Sequence, residues 1–365
     1  MKSWIIRNNK VKVGVTDRCG FLEPVVFTIN GREISPLSIA PWDNEKHDSS
    51  IPPMLRWLRN DFFCAPFGDS DFLQDEPRPH GASANDVWSL LNLTNGKIEL
   101  ELSKKIMGAK VKKIISIIED QSVIYEDHIF EGGKGKIPVG HHLMLKAEEL
   151  LLLGFSKWIY GGTPPSPIES NDESGRSLLM YPQKFDNLGE VKLSNGEIID
   201  LTVFPSMTNH EDLLMLVSDV TQPFAWSTAV SKNAGWVFFA LKPPGVLRNT
   251  VLWFSNGGRF YPPFSGRHRN VIGIEETASF FHLGHKASID KNFLNENGIK
   301  TFIELNGGTF HVRYLFGFAH IPNSFSKVQS IEATDDGINI IDANGKEVFT
   351  KVNLNFILEN IKENR

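Results

Sequence analysis

The chain has 365 residues, of which 41% are hydrophobic and 22% are charged, and its formal net charge is −5. This composition is typical of a globular protein with a large hydrophobic core. The acidic balance, and the lack of any run of Lys or Arg longer than two residues, argue against a nucleic-acid partner.

The start of the chain and its cysteines indicate a cytoplasmic protein. The first ten residues contain no apolar core long enough for a signal peptide. The longest apolar stretches, such as residues 150–155, are too short to span a bilayer, so we expect no membrane association. Two cysteines, Cys19 and Cys64, do not make a disulfide framework and suit a reducing compartment.

Asn-Gly pairs are the strongest structural signal along the chain. They begin at residues 30, 95, 195, 256, 297, 306 and 344. An Asn-Gly pair readily adopts positive φ at both positions, as a type I′ hairpin turn requires. Several pairs adjoin runs that alternate apolar and polar residues, such as Lys97–Leu102 after the pair at 95. The combination predicts antiparallel β-hairpins.

Helical patterns are scarce. Residues 144–153 fit either a short helix or a strand, and residues 353–364 predict a terminal amphipathic helix. Helical segments do not alternate with the strands, so a parallel βαβ arrangement is disfavoured. We therefore predict an all-β protein, a large antiparallel β-sandwich with few short helices, that forms a single domain over residues 1–365.

Two irregular segments interrupt the strand pattern. Residues 51–88 are rich in Pro, Asp, Phe and Gly without periodicity, and residues 161–175 combine turn formers with acids and predict an exposed loop. Within the first segment, residues 69–76 resemble part of a calcium loop, but Gln74 stands where that loop requires Gly, which favours a solvated acidic loop. Long irregular segments of compact domains often carry function or are mobile.

Titratable residues concentrate beside aromatic residues and glycines in three segments, residues 55–88, 138–145 and 264–277. In chain order, they offer Arg59 (or Arg56), His80 before Gly81 with Trp88 following, His142 (or His141), and Glu275.

This order resembles the galactose mutarotase-like superfamily, which includes the aldose 1-epimerases and the hexose-phosphate mutarotases. Its members have an early Arg near a Gly-rich segment, a His-Gly followed by Trp, a mid-chain His at a strand end, and a late Glu after an apolar strand. The opening residues, Val15–Gly20 leading to Pro24–Phe27, also resemble the first hairpin of that fold. The resemblance covers nearly the whole chain and implies the family's large supersandwich.

The sequence departs from the family pattern at two places. His142 is followed by Leu-Met-Leu instead of Pro or Thr and then Tyr-Phe, which leaves the choice between His141 and His142 open. Glu275 is followed by Glu276 instead of Pro or Thr-Gln. The family's sugar-binding Asp has no firm counterpart; Asp212 and Asp219 are the candidates.

The resemblance implies an enzyme that interconverts the anomers of an aldose or a sugar derivative. In that reaction a general acid protonates the ring oxygen and a general base takes the proton of the anomeric hydroxyl. His142 would be the acid and Glu275 the base, without a metal or nucleotide cofactor. The sugar-binding candidates are Arg59, His80, Trp88, His141 and Arg267, the last of which would suit an anionic sugar.

Structural explanations compete with each of these roles. Adjacent residues of a strand face opposite sides, so only one of His141 and His142 can face a site, and the pair lacks the His-x-His spacing of metal ligands. Arg56 and Arg59 could pair with Asp61, Asp69 or Asp71, and Glu275 could be an exposed strand residue. A sugar-binding protein that lacks the acid–base activity is therefore the alternative function.

Overall fold

The computed structural model describes residues 1–72, 77–169, 171 and 173–360. Strands make up 47% of the structure and helices 8%, which confirms the all-β prediction. Both irregular segments identified in the sequence contain residues outside the described ranges, so the acidic loop at 69–76 is seen only to Phe72.

The strands, in chain order, are β1 (Ser3–Arg7), β2 (Val11–Thr16), β3 (Leu22–Ile29), β4 (Arg32–Ile34), β5 (Phe63–Cys64), β6 (Trp88–Leu93), β7 (Lys97–Leu102), β8 (Lys110–Ser116), β9 (Val123–Glu131), β10 (Lys134–Ile137), β11 (Val139–His141), β12 (Leu143–Lys146), β13 (Leu151–Phe155), β14 (Trp158–Gly162), β15 (Lys184–Phe185), β16 (Val191–Lys192), β17 (Ile198–Ile199), β18 (Val203–Phe204), β19 (His210–Ser218), β20 (Ala225–Ser231), β21 (Trp236–Lys242), β22 (Asn249–Asn256), β23 (Val271–Ala278), β24 (Ile303–Asn306), β25 (Thr309–His320), β26 (Val328–Ala333), β27 (Gly337–Asp342) and β28 (Glu347–Lys351). The helices are α1 (Pro53–Arg56), α2 (Gly81–Asn85), α3 (Gly284–Ile289), α4 (Phe293–Glu296) and α5 (Asn355–Leu358), with a 3-10 turn at Leu188–Glu190.

Two large antiparallel sheets form the sandwich. The nine-stranded sheet has the order β18-β13-β20-β21-β25-β9-β8-β7-β6. The eight-stranded sheet has the order β15-β14-β19-β22-β23-β11-β5, and β12 also pairs with β23. The predicted antiparallel sandwich is therefore confirmed, and its crossing connections explain why neighbouring strands are often far apart in sequence.

Alternation along the strands divides their side chains between three cores. Phe238 and Phe316 of the nine-stranded sheet and Leu252 and Ile272 of the eight-stranded sheet belong to the central core. A second core contains Trp42, Phe62 and Trp253, and Trp253 alternates with Leu252 along β22. A third contains residues of β21, β25 and the C-terminal β26-β27-β28 sheet. Each large sheet is therefore packed on both faces.

The Asn-Gly pairs close hairpins at four of the seven positions, those that begin at 30, 95, 195 and 344. Among the described residues, only the pair at Asn30 has positive φ at both positions, so the other three hairpins do not use a type I′ turn. Asn297-Gly298 instead ends helix α4, and Asn256-Gly257 ends strand β22.

The ambiguous segment 144–153 forms strands β12 and β13, not a helix. The predicted helix over 353–364 is seen only as α5, which buries Ile357; residues 361–364 lie outside the described part of the chain. In the described ranges, no helix combines the length and the apolar character needed to cross a bilayer. A single domain over 1–365 stays a prediction.

We expect Phe238→Ala to lower the free energy of unfolding by about 3–5 kcal/mol, because its fully buried ring packs on Phe316 and Phe318 between the sheets. Urea titration followed by circular dichroism measures the loss. Phe349→Ala is the control, because that side chain is 51% exposed on strand β28. Equal losses in the two variants would contradict this assignment of the core.

Candidate active site

A cavity of about 360 Å³ opens where loops cover strands β19, β22 and β23 of the eight-stranded sheet. It is lined by Met54, Leu55, Leu58, Gly68, Asp69, Pro79, His80, His142, Ile168, Glu169, Leu213, Trp253, Arg259, Tyr261, Phe264, Glu275 and His282. The loops come from both irregular segments identified in the sequence and from the segments that follow strands β22 and β23. A mostly apolar cleft with a few converging polar groups is the usual form of a small-molecule site.

Strand register brings His142 and Glu275 together. Gly140 pairs with Thr277 and Leu143 with Ile274, so residue 142 lies directly across from residue 275. His142 Nε2 lies 3.3 Å from Glu275 Oε1, and the two side chains are only 7% and 3% exposed. Two sequence-predicted residues, 133 positions apart in the chain, thus form one acid–base pair on the cavity floor.

Aromatic rings hold the imidazole of His142 in place. It stacks on Phe62 with a centroid distance of 4.7 Å and an interplanar angle of 15°. His80 and Trp253 meet it edge to face, at 5.1 Å and 5.4 Å. This packing fixes the direction in which Nε2 points, which is what proton transfer to a bound ligand requires.

Burial sets the protonation of the pair. It lowers the pKa of His142 to about 3 and raises the pKa of Glu275 well above its usual range. Both shifts have one cause, because removal from water disfavours the charged forms of both groups. Burial therefore favours the neutral form of both groups, with the one proton between them on the carboxyl group of Glu275 and not on Nε2.

Two further imidazoles line the cavity. Burial lowers the pKa of His282 to about 4 and places the pKa of His80 well below its ordinary value. A neutral imidazole has one donor and one acceptor nitrogen, as a hydroxyl group has a donor and acceptors. These side chains suit an uncharged, hydroxyl-rich ligand.

Arg259 is the cation of the cavity wall. Its Nε donates to Glu169 Oε1 at 3.0 Å and lies 3.6 Å from Glu211 Oε1, while Tyr261 donates its hydroxyl to Glu169 at 2.9 Å. In the described part of the chain, its hydrogen bonds use Nε only. Among the described residues, the N–H bonds of both terminal amino groups of Arg259 have no hydrogen-bond acceptor and could serve a ligand.

Glu211 fixes both Arg259 and Trp253 from behind the cavity. It accepts hydrogen bonds from Trp253 Nε1 at 2.6 Å and from Ser255 Oγ at 3.1 Å. Burial raises the pKa of Glu211 to about 7, and Arg259 opposes that rise. The indole ring and the guanidinium group are therefore tied to one carboxyl group.

The structure places His80, His142 and Glu275 in the cavity, but not the other sequence-predicted residues. Trp88 lies in the central core, where Nε1 donates to the Ser83 carbonyl at 2.9 Å. The surface Arg267 pairs with Glu45, its Nη2 at 3.1 Å from Oε2. Neither can contact a ligand on the cavity floor, because both are held elsewhere.

Neither candidate for the early arginine lines the cavity. Arg59 is buried and pairs with Asp43, with Glu23 at 3.9 Å, so its partners are not the aspartates expected from the sequence. Arg56 donates to the carbonyl groups of Ser49 and Ile51. Both arginines hold segments of the covering loops.

His141 faces the opposite side of the sheet from His142, as strand alternation requires. It lies in the interior of the sandwich, with Nδ1 3.8 Å from Asp61 and 3.7 Å from Glu126. Burial raises the pKa of Asp61 to about 6 and that of Glu126 to about 8, and it lowers the pKa of His141 to about 4. His141 therefore has no access to a ligand in the cavity.

The candidate sugar-binding aspartates also lie elsewhere. Asp212 accepts from His210 Nδ1 at 2.7 Å and from Tyr181 at 2.8 Å, and Asp219 binds the surface Lys157. The cavity carboxylates besides Glu275 are Asp69 and Glu169. Glu169 belongs to segment 161–175, and the acidic composition of that segment could have indicated a carboxylate in the site.

Arg259 and Trp253 were missed in the sequence, although a signal for Arg259 exists. A Cβ atom at Gly258 would overlap the backbone of His210 and Glu211. Glycine therefore allows the chain to pass close to strand β19 and brings the next residue, Arg259, against Glu211. An Asn-Gly-Gly that ends a buried strand just before an Arg is the pattern that could have found it.

No protein-family model and no curated protein matches the sequence. Solved structures do match the fold. A galactose mutarotase related enzyme from Lactobacillus acidophilus is 12% identical in sequence, with a TM-score of 0.54. The match covers 88% of this chain and 98% of the chain of that enzyme. A galactose mutarotase-like protein from Lactobacillus casei is 12% identical with a TM-score of 0.56, covering 87% and 100%. An aldose epimerase homologue from C. elegans is 12% identical with a TM-score of 0.53, covering 88% and 100%. The chain has the galactose mutarotase-like fold.

We expect Arg259→Met to lower the free energy of unfolding by about 3 kcal/mol at pH 8, because it leaves the buried carboxylate of Glu211 without its cation. The loss should be smaller at pH 5. The pKa of Glu211 is raised to about 7, so at pH 5 this group is protonated in the folded protein and needs no cation. Urea titration at the two pH values measures the difference.

Arg267→Met is the matched control. Its ion pair with Glu45 joins side chains that are 39% and 47% exposed, so its removal should leave the free energy of unfolding nearly unchanged at both pH 5 and pH 8. A loss for Arg259→Met that is the same at both pH values would show that Glu211 is not the group it stabilises.

Proposed function

We propose that the protein interconverts the α and β anomers of an aldose or a sugar derivative, with His142 and Glu275 as the acid–base pair. The observation that carries the proposal is the contact of 3.3 Å between these two side chains on the floor of a cavity large enough for a sugar ring. The fold it shares with galactose mutarotase-like proteins supports the proposal but does not itself specify the chemistry.

The reaction needs one base and one acid at a single carbon atom. Glu275 takes the proton of the anomeric hydroxyl while His142 gives a proton to the ring oxygen, and the bond between C1 and the ring oxygen breaks to give an open-chain aldehyde. Rotation about C1–C2 and reversal of the two transfers close the other anomer. Both oxygens are bonded to C1, so an acid and a base that are neighbours can reach them together.

The single proton of the pair matches this chemistry. When Nε2 carries the proton, Glu275 is the carboxylate, so acid and base are present at once. After ring opening, Glu275 carries the proton of the anomeric hydroxyl and the imidazole has given its proton to the ring oxygen, so both groups are neutral, the form that burial favours. When the ring closes, the two proton transfers reverse and restore the starting state. The pair therefore needs no proton from the solvent.

The cavity wall supports a sugar as the ligand. Trp253 and Phe264 offer aromatic surface for the C–H bonds of a pyranose, and His80, His282 and Arg259 offer hydrogen bonds for its hydroxyl groups. Arg259 takes the binding role that the sequence assigned to Arg59 and Arg267. Because Glu169 and Glu211 balance its charge, we favour a neutral sugar over an anionic one.

We place the reaction in the cytoplasm. Cys19 and Cys64 are both free and buried, which suits a reducing compartment.

A second candidate is a sugar-binding protein without catalytic activity. The low pKa of His142 favours it, because an imidazole that stays neutral binds hydroxyl groups but is a poor general acid.

We expect the wild-type protein to accelerate the equilibration of freshly dissolved α-glucose or α-galactose, measured by polarimetry or proton NMR. His142→Asn and Glu275→Gln should each lower kcat/KM by about 10²–10⁴-fold, because each removes one partner of the proton transfer while keeping a side chain of similar shape.

His320→Asn and Glu347→Gln are matched controls, because both residues are exposed on strands β25 and β28 and do not line the cavity. They should retain the wild-type rate. If the wild-type protein binds either sugar without accelerating its equilibration, the second candidate replaces the proposed enzyme. Full activity in both His142→Asn and Glu275→Gln would rule out the proposed acid–base pair.

A further inference from the structure

A second polar cluster lies in the interior of the sandwich, behind the cavity floor. Glu126 and His128 belong to strand β9 of the nine-stranded sheet, and His141 belongs to strand β11 of the eight-stranded sheet. Asp61 precedes strand β5 of the same sheet as His141. All four residues are completely buried. The cluster therefore joins the two large sheets across the central core.

Among the described residues, the polar atoms of this cluster have no hydrogen-bond partners outside it, and within it only the carboxyl groups of Asp61 and Glu126 are placed to share a proton. These atoms are both carboxyl oxygens of Asp61 and of Glu126, both ring nitrogens of His128 and of His141, and the hydroxyl group of Tyr314. Buried polar atoms are nearly always satisfied in folded proteins, and a cluster with so many open acceptors indicates a bound group. Carboxylate oxygens and imidazole nitrogens are also the atoms that bind metal ions.

A buried lysine, Lys113, lies near the cluster, and its charge lowers the pKa values of Asp61 and Glu126 against the effect of burial. Lys113 Nζ donates to the Gly20 carbonyl at 2.5 Å and lies 5.5 Å from the centre of the Trp88 ring. Within the described ranges it forms no ion pair with Asp61 or Glu126. Lys113 therefore offsets part of the charge of the two carboxyl groups from a distance, and among the described residues it donates a hydrogen bond to neither of them.

The ligand atoms lie close to metal-binding distances. One atom from each of Glu126, His128 and His141 lies within 4.8 Å of the others. His141 Nδ1 is 3.7 Å from Glu126 Oε2 and 3.8 Å from Asp61 Oδ2. Tetrahedral coordination with bonds of about 2.0–2.1 Å separates neighbouring ligand atoms by about 3.4 Å. The His141 contacts exceed this by a few tenths of an ångström, and the widest separation in the group exceeds it by roughly 1.4 Å, so the side chains would have to close around the ion.

Aromatic residues fix both imidazoles. His128 stacks on Phe63 at 3.8 Å with an interplanar angle of 8°, and His141 stacks on Tyr314 at 4.4 Å with an angle of 29°. Orientation of the ligand side chains by their surroundings is typical of metal sites.

We propose that Asp61, Glu126, His128 and His141 bind one divalent transition-metal ion such as zinc, which ties the two sheets of the sandwich together. Two imidazoles and two carboxylates are a ligand set used for such ions. Since four protein ligands enclose the position and none is exposed, the ion has a structural role. This inference does not depend on the proposed function.

The sequence predicted no metal because adjacent histidines face opposite sides of a strand. His141 and His142 do face opposite sides, but the second imidazole comes from another strand. Glu126 and His128 are two residues apart, so they lie on one face of strand β9. The sequence shows that spacing, and only the fold brings His141 to it.

The test uses the full-length, untagged protein, purified without chelators from medium supplemented with zinc chloride, and measures metal content by inductively coupled plasma mass spectrometry. We expect about one zinc ion per chain. Because the site is enclosed, the ion should be removed by a chelator only after unfolding. Protein unfolded with a chelator and refolded without metal should melt at least about 5 °C below protein refolded with zinc chloride.

His128→Gln, with His320→Gln as the matched control, tests the ligand set. The control should keep one zinc ion per chain and should still melt at a higher temperature with zinc. His128→Gln should lose both properties while circular dichroism shows that it is folded. If His128→Gln does not fold, cobalt(II) refolded into the wild-type protein decides, since tetrahedral coordination gives intense visible absorption bands. Less than about 0.1 metal ion per wild-type chain, with no zinc-dependent change in Tm, would overturn the proposal, as would zinc retained by a folded His128→Gln.

Discussion

The register between the strand that precedes His142 and the strand that carries Glu275 and Glu276 decides which titratable side chains face the cavity and which face the core. Residue 142 lies across from 275 and residue 141 across from 276. Because consecutive strand residues face opposite sides, one pair lies on the cavity floor and the other faces the core. A slip of one residue would exchange the two pairs and destroy both environments.

The interior of the sandwich tolerates charged groups only where their partners are complete. Glu276 pairs with Lys242, whose Nζ also donates to Thr250 Oγ1 at 2.8 Å and to the Asn249 carbonyl at 2.7 Å. That pair bridges the sheets with its hydrogen bonds satisfied, as a buried ion pair must have them. The cluster around His141 occupies the same interior, but its polar atoms lack such a set of hydrogen bonds among the described residues.

The fold also explains why the cavity lies on one outer face only. The C-terminal sheet covers the nine-stranded sheet with apolar residues, whereas long irregular segments cover the eight-stranded sheet and bring polar groups with them. Loops can place His80, Glu169 and Arg259 over a rigid floor because the strands beneath them are packed on both faces. Trp253 connects the strands of the floor with the cavity, since its indole group lines the cavity and donates a hydrogen bond to Glu211.

The sequence by itself determined the all-β class and much of the strand pattern, because turn chemistry and alternation act over a few residues. It also singled out His80, His142 and Glu275. Strand alternation alone showed that the side chains of His141 and His142 face opposite sides of the sheet. Only the tertiary structure decided which arginine faces the cavity. Arg59 meets Asp43, and Arg259 meets Glu169 and Glu211, through contacts between distant segments. No local pattern specifies such contacts, because they depend on how the loops pack over the finished sheets.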